Sequence, residues 1–119
     1  MGRVLINNTN GKENLERATL SFVVANAALS SDQEAIVLLT VDGTWIATKG
    51  YADGLQAEGF APLAELVAKF VAAGGQLWVC GACAKPRNIT AEQLVEGGQI
   101  VGAAKAVEQM VNGVQTLSF

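Results

Sequence analysis

Apolar residues fall along this chain in two rhythms. Short runs at Val4 to Ile6, Ala35 to Val41 and Gln76 to Val79 are bounded by the turn-formers Asn7-Asn8-Thr9-Asn10-Gly11, Asp42-Gly43 and Gly74-Gly75. Runs of this length, rich in branched residues, read as strands covered on both sheet faces. Val114 to Phe119 reads as a last strand. Between them the rhythm is helical. Leu15, Ala18, Phe22 and Leu29 recur on one stripe, and Leu20, Val23, Val24 and Ala27 widen it, which predicts a helix buried on two faces. Pro62 suits a first helical position, with Leu63, Leu66, Val67, Phe70 and Val71 behind it at helical spacing. Thr90 and Gln93 form a capping box ahead of Leu94 and Val95. Past Gly97-Gly98, the positions Ile100, Val101, Ala104, Val107 and Met110-Val111 predict another helix. Gly43 to Gly54 is a polar connection with room for one helical turn around Trp45 to Lys49.

Strands alternating with helices of this length imply crossover connections, a mostly parallel sheet of four to five strands, and helices on both of its sides. No linker or repeat divides residues 1–119, so one α/β domain is expected. In a parallel sheet all strands end at one edge. Asn8-Thr9, Asp42-Gly43 and the segment Cys80 to Cys83 should converge there, where open α/β sheets place their sites.

Composition narrows the function. Half of the 119 residues are hydrophobic and only 16% are charged, with a mean hydropathy of +0.31. That is more apolar surface than a small monomer hides, so a homo-oligomer is expected. A net charge of −3 with scattered Lys and Arg offers nothing to a phosphate backbone, which argues against nucleic acid. The start of the chain lacks the apolar stretch of a signal peptide, and no run approaches a membrane span. A soluble, cytoplasmic protein with reduced thiols is the expectation.

The candidate chemistry lies in Trp78 to Ile89, WVCGACAKPRNI, which holds both cysteines. A structural zinc needs four ligands; two thiolates without any His or second cysteine pair do not supply them, and no metal or other cofactor is expected. A dithiol redox pair fits the C-x-x-C spacing of Cys80 and Cys83. In thioredoxin-like sites, however, the first Cys begins a helix, whereas here Pro86 follows closely and Thr90 signals the next helix. A single nucleophilic sulfur needs only thiolate character and access. At a pKa near 8.5 about 3% of a thiol is ionised at pH 7, and at about 6.5 roughly three-quarters is. Lys85, Arg87 and the amides of Gly81-Ala82 are placed to favour the anion. The remaining reading is two small buried apolar residues.

Other features carry plainer readings. The segment from Gly43 to Gly50 lacks the glycine spacing of a phosphate loop. Asn26 reads as a satisfied buried amide or a subunit contact, Trp45 and Trp78 as packing residues, and Asp42 as a turn-former ahead of Gly43.

Four segments together, ENLERATLSFVVANAAL, LLTVDGTWIATKGYADGL, WVCGACAKPRNIT and LVEGGQIVGAAKAVEQM, resemble the DsrE/DsrF-like family of small α/β proteins from end to end. The resemblance implies a three-layer α/β/α fold, assembly into trimers or hexamers, and, as in the sulfur-relay members, a cysteine that carries a persulfide between donor and acceptor proteins. By position that cysteine is Cys80. Lys85 and Arg87 would stabilise its anion, Asn8, Thr9 and Lys49 would line the pocket, and Cys83 would resolve the persulfide or form a disulfide. Many relatives have Arg-Gly where this chain has Arg87-Asn88, and Asn is a residue that accepts the left-handed backbone such a turn needs. Two other readings stay open: a Cys80/Cys83 dithiol, and a non-enzymatic oligomer that binds a ligand or partner at the strand edge.

Overall fold

A computed structural model describes residues 2–119. Its elements are β1 (Arg3–Asn8), α1 (Leu15–Ser30), β2 (Glu34–Leu39), α2 (Leu63–Ala72), β3 (Gln76–Cys80), α3 (Gly81–Ala84), β4 (Gly98–Val101), α4 (Ala103–Val111) and β5 (Gln115–Ser118). The five strands pair in parallel throughout, in the order β4-β3-β2-β1-β5. The chain therefore steps outward from β1 to β4. It then returns through α4 to add β5 on the far side of β1.

Side-chain alternation along the strands divides the core. Ile6, Ala35, Val37, Leu39, Leu77 and Val79 face α1 and α2, while Leu5, Ile36, Trp78 and Val101 form a second cluster on the opposite face. Phe22 of α1 and Phe70 of α2 meet edge to face at 5.9 Å. Asn26 donates to the Leu66 carbonyl at 3.1 Å, so the amide in the apolar helix is satisfied and joins the two helices. The second face is covered by α4 largely through polar side chains. Lys105 lies 4.9 Å above the Trp78 ring, and Gln109 accepts from Arg3 at 3.0 Å. The apolar residues of α4 turn the other way, with Val107 and Met110 each 50% exposed and Val111 79%.

Two sequence expectations are corrected. Ile100 and Val101 belong to a strand, because they extend β3 edge to edge (Val79 opposite Ile100, Cys80 opposite Val101) after Gly97 reverses the chain at φ +89°. The Thr90–Gln93 capping box forms but closes a single 3-10 turn, Ala91–Gln93, since Gly97-Gly98 leaves no length for a helix. The expected turn near Trp45 is a 3-10 segment, Val41–Ala47.

Candidate functional site

Because the strands run parallel, β1, β2 and β3 deliver Asn8, Thr40 and Cys80 to one edge. The Thr40 amide donates to the Asn8 carbonyl at 3.0 Å. Gly43 then passes so close to β1 that a Cβ there would stand 2.3 Å from the Asn8 oxygen. The 3-10 segment that begins at Val41 is thereby held against the end of β1, and it also packs on β3.

Cys80 is both the last residue of β3 and the cap of α3, correcting the expectation that no helix starts at the first cysteine. Gly81-Ala82-Cys83-Ala84 forms one α turn, and Pro86, which has no amide hydrogen to continue it, helps confine it to that length. A single turn sums few peptide dipoles, so its field at Cys80 is small. Lys85–Arg87 follows as a 3-10 turn and ends on Asn88 at φ 56° and ψ 33°, the left-handed conformation expected of the Asn. Both thiols are free and partly exposed.

Cys80 lies close enough to Cys83 to bear on its titration. Burial pushes the Cys83 thiol above its ordinary value. The Val41 amide, which donates to the sulfur, and the Arg87 charge act in the opposite direction; the hydrogen bond to Cys80 and its charge add to the rise. The net effect raises the Cys83 thiol and so favours its protonated form. Val41 holds its amide toward Cys83 from a strained position: φ is 51°, unusual for a β-branched residue, and the side chain is 46% exposed. The turn is pinned there by the Thr44 hydroxyl, which donates to the Val41 carbonyl at 2.7 Å.

Arg87 completes the frame. Its Nε and Nη2 donate to Asp42 Oδ1 at 3.2 and 3.0 Å, and its Nη1 donates to the Cys83 carbonyl at 3.1 Å. Asp42 offsets much of the Arg87 charge, so the guanidinium acts here more as a brace than as an open cation. The sequence treated Asp42 as a turn-former and passed over Val41. The cue was the adjacency of β2 and β3, which stacks their ends.

The other candidate residues are dispersed around this edge. Lys85 is exposed, makes no ion pair among the described residues, and lines a shallow cavity of ≈ 400 Å³ beside Gly81 and Ile100. Asn8 is fully buried, its amide group spent on the Asn10 backbone at 2.9 and 3.0 Å. Thr9 donates to the Phe119 carbonyl at 2.9 Å and so fastens the end of β5. Lys49 sits on the connection after Trp45, where its Nζ donates to the Glu92 carbonyl at 3.2 Å. Among the described residues no group of three or more Cys, Asp or Glu is arranged to hold a metal ion. No helix among them is long and apolar enough to cross a membrane.

A parallel α/β/α sandwich with a cysteine pair at the end of β3, the strand between β4 and the central β2, is the class of protein these features define. The profile of the DsrE/DsrF-like family matches residues 2–119, and the chain belongs to that family, which is linked to sulfur relay. It is 34% identical over 100 residues to the uncharacterized protein MJ0760 of Methanocaldococcus jannaschii. That match covers 84% of this chain and 36% of the relative, so the chain spans about a third of its length. Two solved structures share the fold. The ychN protein from E. coli has a TM-score of 0.72 at 14% identity, over 100% of this chain and 99% of the other. MTH1491 from Methanobacterium thermoautotrophicum, a protein of unknown function, has 0.77 at 12%, with both chains fully covered.

Proposed function

We propose that this chain is a cytoplasmic sulfur carrier in which Cys80 holds a persulfide between a donor and an acceptor protein. The carrying observation is the position of Cys80: partly exposed at the end of β3, three residues from the free Cys83 thiol on the α3 turn that it caps. As thiolate, Cys80 attacks the outer sulfur of a donor persulfide. The donor's S–S bond breaks, its thiolate leaves, and a Cys80 persulfide forms with no net oxidation. An acceptor thiolate then takes the outer sulfur by the same exchange and returns Cys80 as thiolate. The Cys83 S–H stabilises the anion at both stages by donating to it, and Lys85 supplies an exposed cation for the incoming charge.

The test is to incubate the protein with a cysteine desulfurase and cysteine and to weigh it intact. Wild type gains one sulfur atom per chain and Cys80→Ser gains none. No gain on wild type, or an equal gain on the variant, ends the proposal.

A dithiol reading is favoured by one observation, the placement of Cys80 as the cap of the one-turn α3 that holds Cys83. It requires both sulfurs, so Cys83→Ser separates the two: a carrier still loads on Cys80, and a dithiol is inactive. The exposed stripe Val107, Met110 and Val111 supports a homo-oligomer, trimeric or hexameric as in the family, built through α4.

A further inference from the structure

A partly open cavity of ≈ 470 Å³ lies away from the cysteines, between α2, the connection 46–53 and residues 95–96. That volume is within the range of small-molecule sites. Its walls are hydrocarbon: Ile46, Val67, Val71 and Val95. Two charged residues line it, Asp53 and Glu96, and no Lys or Arg does among the described residues. Neither carboxylate is paired, since the ion pairs among those residues are Arg3–Glu34 and Arg87–Asp42. The backbone keeps the space open. The Val95 amide donates to the Ala47 carbonyl at 2.8 Å and the Lys49 amide to Gln93 at 2.8 Å, so the two rims are bonded to each other rather than collapsed onto α2.

We infer that this cavity binds a small amphiphilic cation, an amine whose hydrocarbon part lies against Val67 and Val71 and whose ammonium group sits between Asp53 and Glu96. Apolar walls favour any hydrocarbon of suitable size. Two unpaired carboxylates at the rim select the sign of the head group: an ammonium is attracted, and a carboxylate of the same length meets like charge. The inference does not depend on the sulfur-carrier reading, because neither cysteine lines the cavity.

The probe is hexylamine, with 1-hexanol and hexanoate as matched controls, titrated into the full chain and followed by methyl NMR shifts of Val67, Val71 and Val95. Hexylamine is expected to shift these methyls with millimolar affinity, hexanol more weakly, and hexanoate least. The Asp53→Asn/Glu96→Gln double variant should weaken hexylamine about three- to tenfold, as expected of two exposed charges, and leave hexanol unchanged. Ala68→Trp, at an exposed helical position on the cavity wall, should abolish binding of both. Hexanoate binding as tightly as hexylamine, an unaltered amine affinity in the double variant, or shifts confined to other parts of the molecule would overturn the assignment.

Discussion

Arg87 grips Asp42 through two donors to one carboxylate oxygen, at 3.0 and 3.2 Å, and so ties the turn after α3 to the start of the segment following β2. The same guanidinium reaches the Cys83 carbonyl. One side chain thus fixes the two pieces of backbone that hold the cysteine pair.

Arg87→Ala is therefore expected to cost about 1 kcal/mol of stability in urea unfolding, a modest figure because the pair is partly exposed. Its effect on sulfur loading should be larger than that figure suggests, since the α3 turn loses its brace. Arg87→Lys should recover the charge without the forked geometry, and loading should stay low. Full recovery by Lys would show that charge alone matters.

The raised Cys83 thiol sets a pH dependence. Folding holds a proton on Cys83 that the unfolded chain releases earlier, so its contribution to stability is complete below the ordinary thiol range and declines as pH rises through the folded-state value. Thermal unfolding of wild type should lose stability above about pH 8.5 relative to Cys83→Ser. Alkylation of Cys83 should reach half its maximal rate above the pH of free cysteine. In Cys80→Ser that midpoint should move down, because the neighbouring thiol is one cause of the rise.

Two backbone positions in one turn should both favour glycine. Gly43→Ala places a Cβ against the Asn8 carbonyl and is expected to cost about 2–4 kcal/mol. Val41→Gly relieves a left-handed β-branched residue and should be neutral or stabilising by up to about 1 kcal/mol, against the usual sense of a Gly substitution. Chemical denaturation of the two variants checks both.

The outward stripe of α4 carries the expected oligomer contact. Met110→Glu/Val111→Glu changes two exposed side chains, so the fold should persist by circular dichroism while light scattering reports a smaller particle. An unchanged mass would move the contact elsewhere.

Much of the architecture was legible from pattern alone. The unbroken apolar runs became the buried strands, and the Leu63 to Val71 stripe became α2, because burial requires those periods whatever the neighbours are. Asn88 is left-handed and Asn26 is satisfied, for reasons local to each side chain. Two segments misread because local signals were too short to decide them. Gly98–Val101 has a hydrophobic pattern compatible with either period, and the free edge of β3 decided it. The capping box at Thr90 formed as read, with no helix long enough to use it.

What the residues determined by themselves is a parallel α/β chain whose strand ends converge on a cysteine pair, since period and turn chemistry act over a few positions. Only the tertiary structure decided which groups face those sulfurs. Val41 bears on the Cys83 thiol across 42 residues of chain, and Asp42 holds Arg87, whose Nη1 reaches the Cys83 carbonyl, across 45; the register of β2 on β3 brings these segments together. The same long-range packing turned the apolar side of α4 outward and left a cavity over α2. A contact between distant residues depends on how every intervening element packs, and no local pattern records that.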